Sequence, residues 1–279
     1  MRISCGASGR VARRGLKLAL MEEGLIVRAA VVTGASKGIG LTIAVRLAEE
    51  GWSVFLCSRN EAAIEASSKE LRRRGYEASW CPCDVGDADS VQAMKDVVMN
   101  RTDHVDLLVN NAGIPGSTRP TWTIPLEEWE GVLKVNLTGA FLCSRALLPG
   151  MIERGAGHII NIASITGKRP LAQRSAYAAS KLGMIGLTRS LAAEVGRYGV
   201  RVNAISPGVV EGERIEGVLA GQAHATGRTV EEVRQAMLSD TPMGRMVSAA
   251  EIANAVVALD GMAGVTGIDL NVTAGLVMY

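Results

Sequence analysis

Tyr177 and Lys181 are the residues of this chain whose types and spacing most clearly suggest chemistry. They lie four positions apart in Ser-Ala-Tyr-Ala-Ala-Ser-Lys, and positions i and i+4 share one face of a helix, so the phenol and the ammonium can point into one cleft. A phenol has a pKa of about 10, and a nearby cation favours the phenolate, which brings it closer to the working range of an acid/base catalyst. The pair therefore predicts a proton-transfer site.

A glycine-rich turn, Thr-Gly-Ala-Ser-Lys-Gly-Ile-Gly, lies far upstream between Thr33 and Gly40. It follows a short apolar run and opens a helical pattern. Glycine lets the backbone approach a pyrophosphate, and the N-terminus of the helix supplies unpaired N–H groups and the positive end of a dipole. Such a turn can also be a simple tight connection, but strand, turn and helix in this order indicate a nucleotide site.

The end of the second predicted strand bears on which nucleotide binds. Its sequence is Leu-Cys-Ser-Arg-Asn, with Ser58 and Arg59 where a carboxylate would accept hydrogen bonds from the adenosine ribose of NAD. Arg59, helped by Lys37 of the glycine-rich turn, is suited to a 2′-phosphate. We therefore expect NADP(H) rather than NAD(H); the alternative is that both cations are simply solvated.

The elements that must position these residues follow a regular rhythm from Ala29 onward. Short β-branched runs alternate with longer helical stretches, which is the pattern of repeated βαβ units around a parallel sheet. The sequence predicts a single-domain α/β fold, a Rossmann-like doubly wound parallel sheet of about seven strands flanked by helices, over residues 29–279. Strands are expected at 29–33, 53–57, 77–81, 105–110, 157–162, 201–205 and 267–272, and helices at 39–50, 61–74, 90–100, 126–152, 176–198 and 249–259.

A polar insertion at about 209–245 separates the sixth and seventh predicted strands, where such folds usually build substrate pockets. Arg169 and Arg174, between Ser164 and Tyr177, are candidates to face the same cleft. The charges leave two interpretations open, a polar or anionic substrate or the solvated face of a lid helix. The insertion contributes Glu211, Glu213, Arg214, Glu216, Gln222 and His224.

Composition excludes several classes of function. The formal net charge is +2 and the basic residues are scattered among acidic ones, so we expect no nucleic-acid partner. No run approaches the roughly 20 apolar residues of a membrane helix, so we expect no membrane partner. Neither the three histidines nor the five cysteines show a metal-ligand spacing, and we expect no metal and reduced thiols. Cys81 and Cys83 alternate on one strand face, which favours a packing role.

Residues 1–28 are predicted to be a leader outside the fold. The segment is rich in arginine, and its first acidic residue, Glu22, comes late. An irregular leader is the simplest interpretation, and an organelle-targeting segment or a basic binding arm are the alternatives. We expect a cytoplasmic protein, with organelle import through this segment left open.

Taken together, these motifs resemble the short-chain dehydrogenase/reductase family, and in particular its 3-oxoacyl-ACP reductases. The resemblance runs from Ala30 to Met278 and includes the glycine-rich turn, an Asn-Asn-Ala-Gly stretch and a Tyr-x-x-x-Lys pair. It implies that Asn136, Ser164, Tyr177 and Lys181 are catalytic. It implies that the cofactor contacts are Thr33, Gly34, Ser36, Lys37, Gly38, Ile39, Gly40, Ser58, Arg59, Asp84, Val85, Asn111, Ala112, Gly113, Tyr177, Lys181, Pro207 and Gly208.

The resemblance also implies an activity and an assembly. The activity is reversible hydride transfer between NADP(H) and a carbonyl or secondary alcohol, on a 3-oxoacyl thioester, a sugar or another polar ketone. The assembly is a homotetramer, with the predicted helices 126–152 and 176–198 in one interface and the last helix and strand in another. A non-catalytic NADP(H)-binding regulatory protein is the alternative. A nucleic-acid-binding role for the leader is a third hypothesis.

Two positions depart from the family pattern. Gly212 stands where a threonine commonly helps to hold the nicotinamide carboxamide, which leaves that contact in question. Ala274 precedes Gly275 where the family commonly has two glycines, which restricts the backbone of that turn.

Overall fold

The structure of the protein is a computed structural model that describes residues 27–279. The predicted leader, residues 1–28, lies outside the described residues except for its last two positions. The hypotheses of organelle targeting and of a basic binding arm therefore concern a part of the chain that the structure does not describe.

Within residues 27–279, seven strands form one parallel sheet, as predicted. The strands are β1 (Ala29–Thr33), β2 (Ser53–Ser58), β3 (Ala78–Pro82), β4 (Leu107–Asn110), β5 (Gly157–Ile162), β6 (Val200–Pro207) and β7 (Asp269–Val272). Their order across the sheet is β3, β2, β1, β4, β5, β6, β7. Strands β2 and β3 are thus added on one side of β1, and β4 to β7 on the other. The carboxyl ends of β1 and β4 flank the crevice where doubly wound sheets bind ligands.

Helices cover both faces of the sheet. Those outside the insertion are α1 (Gly38–Glu49), α2 (Glu61–Arg73), α3 (Ala88–Met99), α4 (Leu126–Leu133), α5 (Gly139–Arg154) and α6 (Ser175–Val195), and α9 (Ala249–Gly261) follows the insertion. Every residue of β1 is buried, and its side chains alternate between two cores: Ala30 and Val32 lie in one, Ala29 and Val31 in the other. This is expected of a central strand that is covered on both faces.

The helix predicted over 126–152 is not continuous. A π-helical segment, Lys134–Thr138, separates α4 from α5 and carries the buried side chain of Asn136. An apolar pattern cannot reveal such a bulge, because the bulge depends on local backbone hydrogen bonds. Such bulges are frequent at functional sites. The helix predicted over 176–198 likewise ends earlier, at Val195, and continues as a short 3₁₀ turn.

The same stretch, Leu126–Arg154, is long and apolar enough to cross a membrane by length and average composition alone, although charged residues interrupt it and it contains no continuous run of about 20 apolar residues. Of the most apolar part of this stretch, 50% is buried inside the molecule. A core helix of a soluble protein passes the same test, and here α5 contributes Leu147 and Met151 to the core.

The polar insertion is itself helical. It contains α7 (Glu213–Thr226) and α8 (Val230–Ser239), which enclose a small apolar cluster that includes Leu219 and Val233. A parallel bridge between Val210 and Val247 joins the two ends of the insertion at the sheet. The insertion thus stands as a compact pair of helices beside the carboxyl ends of the strands.

The cysteines within the described residues occupy one region of the core. Cys57, Cys81, Cys83 and Cys143 are buried, unpaired thiols in the same apolar cluster. Burial raises the pKa of Cys83 to about 11, so this thiol stays protonated and packs as a small apolar group.

His158 lies in β5 and is buried away from the glycine-rich turn. Its Nδ1 is 3.2 Å from a carboxylate oxygen of Asp260, and its Nε2 is 3.0 Å from the side-chain amide of Asn203. Burial lowers the pKa of His158, and the charge of Arg201 adds to this effect, whereas Asp260 opposes it. The imidazole is therefore held neutral inside a polar cluster that joins β5, β6 and α9.

Candidate active site

The glycine-rich turn is packed tightly against the end of β4. A Cβ added to Gly34 would lie 2.8 Å from the Cα of Ala112, and a Cβ added to Gly40 would lie 2.4 Å from the carbonyl oxygen of Gly34. Gly34 also adopts φ = +65°, where side chains are strained. Only glycine fits at these positions, and the backbone N–H groups at the start of α1 stay accessible to an anion.

Thr33 ties the ends of β1 and β4 together. Its hydroxyl accepts hydrogen bonds from the backbone N–H of Asn111 at 3.0 Å and of Ala112 at 3.1 Å. The side-chain amide of Asn111 in turn donates to the carbonyl oxygen of Thr33 at 2.9 Å. These bonds fix the spacing between the turn and the Asn-Asn-Ala-Gly loop, which together form the floor of a cleft.

The end of β2 places Arg59 at the rim of this cleft. Arg59 is exposed and forms no ion pair with any residue in 27–279, so its guanidinium is available to a ligand. Lys37 is instead paired with Glu213 of α7 at 2.7 Å, with both side chains largely exposed. Asp84 lines the same region, and its carboxylate accepts a hydrogen bond from the N–H of Gly86 at 3.0 Å.

Helix α6 places Tyr177 and Lys181 on the same side of the cleft, one turn apart. Lys181 is 3% exposed, and its ammonium donates a hydrogen bond to the carbonyl oxygen of Ile162 at 2.7 Å. Its Nζ lies 5.8 Å from the centre of the Tyr177 ring. Burial lowers the pKa of Lys181 to about 8. A lysine held in this way cannot swing into solvent, and with a pKa of about 8 it is largely protonated beside the phenol at pH 7.

The pKa of Tyr177 is lowered although burial acts in the opposite direction. Burial raises it, but the charges of Lys181, Arg214 and Arg174 and a hydrogen bond with Ser164 together outweigh that effect. The hydroxyl of Ser164 also accepts a hydrogen bond from the N–H of Thr166 at 3.2 Å, which holds it at the end of β5. Tyr177 and Ser164 can thus both hydrogen-bond one oxygen atom of a bound molecule.

Asn136 is buried next to the helix that carries Tyr177 and Lys181. Its side chain accepts a hydrogen bond from the N–H of Ile114 at 2.7 Å and donates to the carbonyl oxygen of Ile114 at 3.0 Å and to the hydroxyl of Ser180 at 3.0 Å. A Cβ on Gly113 would lie 3.1 Å from the Asn136 amide oxygen. The π-helical segment, the loop after β4 and α6 are therefore connected through one amide.

A single cleft of about 1200 Å³ brings most of the predicted site residues together. Among those that line it are Ser164, Tyr177 and Lys181 and the cofactor contacts Gly34, Ser36, Lys37, Gly38, Ile39, Gly40, Ser58, Arg59, Asp84, Val85, Asn111, Ala112, Gly113, Pro207 and Gly208. Thr33 and Asn136 do not line it. Both side chains are buried. Thr33 joins two strand ends through backbone N–H groups, and Asn136 joins the loop after β4 to α6 through the backbone of Ile114 and the hydroxyl of Ser180.

Several functional groups escaped the sequence analysis. The carbonyl of Ile162 and the hydroxyl of Ser180 hold Lys181 and Asn136, and neither residue type is informative by itself. Thr118, in the loop that follows β4, lines the cleft opposite α7. The sequence signal for Ser180 is its position next to Lys181, about one helical turn after Tyr177. A serine at such a position can bond back to the preceding turn, as Ser180 does to the carbonyl oxygen of Tyr177.

The two departures from the family pattern are both backbone features. Gly212 adopts φ = +129° directly before α7, where a threonine would be strained. Ala274 adopts φ = +53°, in the left-handed region that glycine prefers.

Among residues 27–279 no group of three or more histidine, cysteine or acidic side chains is arranged to hold a metal ion.

Comparison with known proteins bears on this site. The family model described as short chain dehydrogenase matches residues 28–222. The chain is 41% identical over 254 residues to a putative ketoacyl reductase of Streptomyces coelicolor, covering 90% of this chain and 97% of that protein. It is 35% identical over 258 residues to the 3-oxoacyl-[acyl-carrier-protein] reductase FabG of Staphylococcus aureus, covering 91% and 99% of the two chains.

A solved structure is similar over nearly the whole chain. It is an actinorhodin polyketide ketoreductase with NADPH, which superimposes with a TM-score of 0.86 at 41% identity and covers 91% of this chain and 98% of that one.

Proposed function

Because this chain belongs to the short-chain dehydrogenase family, we propose that it reduces a ketone reversibly to a secondary alcohol with NADP(H). The observation that carries the proposal is the position of Tyr177, Ser164 and Lys181 in the same cleft as the glycine-rich turn. NADPH, when bound, supplies the hydride. The work of the chain is to hold the ketone, to supply a proton and to bind the cofactor.

Tyr177 is the proposed proton donor. In the reducing direction its hydroxyl gives a proton to the carbonyl oxygen as that oxygen gains negative charge, while the Ser164 hydroxyl donates a hydrogen bond to the same atom. The positive charge of Lys181 stabilises the phenolate that remains. In the oxidising direction the same phenolate takes the proton from the alcohol.

Asn136 is proposed as a positioning residue. Its amide joins Ile114 to Ser180, and Ser180 precedes Lys181 on α6. The amide therefore fixes α6 relative to the loop after β4, and with it the distance between the phenol and the floor of the cleft. The resemblance to the family also suggests that Asn136 supports a water that carries protons to solvent.

The cofactor site is proposed to take NADP(H). Gly34 and Gly40 allow the turn to pack closely against the loop after β4, and a Cβ on Gly38 would meet no heavy atom within 4 Å, which leaves open space at the start of α1 for a pyrophosphate. Arg59 is unpaired at the rim, and a guanidinium suits the 2′-phosphate that distinguishes NADP from NAD. The ketoreductase that superimposes on this chain is a structure with NADPH, which supports the same choice.

The substrate is proposed to be a ketone within a polar molecule, such as a 3-oxoacyl thioester or a sugar. The names of the relatives, ketoacyl reductases among them, support a keto group as the reacting centre. A non-catalytic NADP(H)-binding protein is disfavoured, because both the tyrosine and the lysine are present and positioned in the cleft.

We further propose a cytoplasmic homotetramer. Phe141 of α5 and Leu182 of α6 are exposed apolar side chains, and they lie on the two helices expected to form one interface. Met262 and Ile268, between α9 and the edge strand β7, are exposed near the second expected interface. A light-scattering mass of four chains of 29.3 kDa would support this assembly, and a mass of one chain would contradict it.

The function is tested by incubating the purified full chain with NADPH and a panel of ketones and following the loss of reduced nicotinamide. We expect turnover with at least one ketone and the matching alcohol as product. Absence of turnover across the panel, in a sample shown to bind NADPH, would instead favour the non-catalytic alternative.

A further inference from the structure

Arg174 is a buried cation that forms no ion pair with a carboxylate among residues 27–279. It precedes α6, lines the cleft, and is 5% exposed. Its guanidinium lies 5.1 Å from the centre of the Tyr177 ring. Within the described part of the chain, its guanidinium makes one long hydrogen bond, 3.5 Å, to the hydroxyl of Thr118, and its Nε has no partner there. Burying a charge in this way is unfavourable unless a counter-charge is supplied.

Arg214 approaches the same point from the insertion. It lies in the first turn of α7, and its guanidinium is 5.6 Å from the centre of the Tyr177 ring. Arg214 forms no ion pair with any residue in 27–279. The two arginines and Lys181 thus place three cationic groups around one phenol.

Three carboxylates of the insertion and its end are already paired with other cations, whereas Glu211 and Asp84, which also line the cleft, form no ion pair with any residue in 27–279. Glu213 contacts Lys37, Asp240 contacts Arg169, and Glu216 contacts Arg234, each at 2.7 Å. No carboxylate is among the groups that influence the charge of Arg174, whereas Arg214 is close enough to lower its pKa further after burial has lowered it. Among the groups that act on Arg174, only Tyr177 raises its pKa, which requires the ionised phenol, and no carboxylate does so. When Tyr177 is protonated, the described residues therefore leave the two arginines without a counter-charge.

We propose that Arg174 and Arg214 bind an anionic group of the substrate, a carboxylate or a phosphate, a few bonds from the ketone that Tyr177 protonates. A guanidinium binds either group through two parallel hydrogen bonds. The unpaired Nε of Arg174 and its terminal nitrogens can provide such a pair at the wall of the cleft. This inference rests on the proposed function, because it assumes that a ketone binds beside Tyr177, and it narrows the polar substrate to an anionic one.

The location separates this anion from the phosphates of the cofactor. Arg174 lies between the 3₁₀ turn at Ile165–Gly167 and α6, beside Thr118 and Tyr177. The glycine-rich turn lies at the other end of the cleft, at the start of α1. Arg214 follows Glu213 in α7, and Glu213 is paired with Lys37 of the glycine-rich turn. Arg214 is therefore also near the cofactor end, and its effects on substrate binding and on cofactor binding must be measured separately.

The first test uses the unmodified full chain with saturating NADPH. Two pairs of ketones are compared by kcat/KM: acetoacetate with methyl acetoacetate, and dihydroxyacetone phosphate with dihydroxyacetone. We expect the charged member of at least one pair to be preferred by about 10- to 100-fold, the range of a charge-assisted hydrogen bond. The pair that shows the preference identifies carboxylate or phosphate. Equal values in both pairs, with turnover present, would overturn the inference and leave the proposed function intact.

The second test uses variants on the same pairs. Arg174→Gln should lower kcat/KM for the charged ketone by about 10- to 100-fold and change that for its neutral counterpart much less. Arg174→Lys should restore part of the preference. Arg169→Gln is the control, since Arg169 lines the same cleft but is paired with Asp240, and it should leave the ratio unchanged.

Two outcomes would contradict the assignment of these residues. If Arg174→Gln lowers kcat/KM equally for the charged and the neutral ketone of a pair, the arginine acts through the pKa of Tyr177 and binds no substrate anion. If Arg214→Gln raises the Kd of NADPH while the ratio between ketones stays constant, Arg214 serves the cofactor instead. No turnover with any ketone in the wild-type protein would be a failure of the proposed function.

Discussion

Lys37 in the glycine-rich turn and Glu213 at the start of α7 form an ion pair of 2.7 Å across the rim of the cleft. It joins the proposed cofactor site to the insertion that covers the substrate end. The sequence predicts Lys37 as a partner of the 2′-phosphate, whereas in the structure its ammonium is held by a carboxylate. Binding of that phosphate by Lys37 therefore requires exchange of one partner for another.

Glu213→Gln should strengthen NADPH binding. Removing the carboxylate frees Lys37 and takes one negative charge from the rim, so the Kd of NADPH should fall by about twofold to fivefold, more at low salt. Both side chains are largely exposed, so the melting temperature should hardly change. Titration of NADPH by fluorescence measures the effect. Glu216→Gln, on the same helix but paired with Arg234, is the control, and an equal change there would argue against a local exchange.

Arg59→Ala should change the cofactor preference. Loss of a charge-assisted contact with the 2′-phosphate should lower kcat/KM for NADPH by about 10- to 100-fold and leave that for NADH nearly unchanged. Steady-state kinetics with both cofactors provide the measurement. Arg197→Ala, in the 3₁₀ turn after α6, removes an arginine outside the cleft and serves as the control. A strong preference of the wild type for NADH would contradict the assignment of Arg59.

Tyr177→Phe should lower kcat by about 10²- to 10⁴-fold, because the proton donor is removed while the ring remains. NADPH binding and the melting temperature should be retained. Tyr198→Phe, which alters a half-exposed tyrosine after α6, should keep full activity. Turnover by the Tyr177 variant at the wild-type rate would show that the proton comes from elsewhere.

The pH dependence should differ between the two directions of the reaction. The pKa of Tyr177 lies below 10 because Lys181, Arg214, Ser164 and Arg174 outweigh burial. Reduction needs the protonated phenol, so its kcat/KM should fall as the pH rises through that pKa. Oxidation needs the phenolate and should rise over the same interval. Lys181→Met should move both inflections to higher pH, and inflections that stay in place would exclude the lysine as their cause.

Stability should decrease on acidification because of His158. Its pKa in the folded protein is lowered, chiefly by burial, so the unfolded chain binds a proton first as the pH falls below about 6.5. The stabilisation from neutral His158 is complete above that pH and is lost as the pH falls toward the pKa of the folded state. Denaturant unfolding between neutral and mildly acidic pH measures the slope. His158→Gln should flatten it, and the exposed His224→Gln should leave it unchanged.

The sheet could be predicted closely because its strands are short apolar runs covered on both faces. The bounds of β1 and β5 agree with the expected 29–33 and 157–162. The helices of the insertion could not be placed in the same way. α7 and α8 bury few side chains, Leu219, Ala223 and Val233 among them, and a charged, mostly exposed helix leaves only a weak apolar period.

The candidate site shows the same division. The spacing of Tyr177 and Lys181 and the pattern of the glycine-rich turn are local, so the residues that the structure brings together could be named from the sequence. The ion pair between Lys37 and Glu213 joins residues 176 positions apart, and no local pattern encodes it. The lack of a partner for Arg174 likewise depends on where every nearby carboxylate ends up.

The π-helical segment at Lys134–Thr138 affects which mutations this region can accept. One additional residue in an α-helix turns everything beyond it by about 100°. α4 and α5 can therefore present different faces to their neighbours, with Asn136 directed inward at the join. Single substitutions at solvent-exposed positions outside the proposed interface should be tolerated, but loss of one codon would rotate the two helices out of register. The segment is thus far more sensitive to a deletion than to an exchange of side chains.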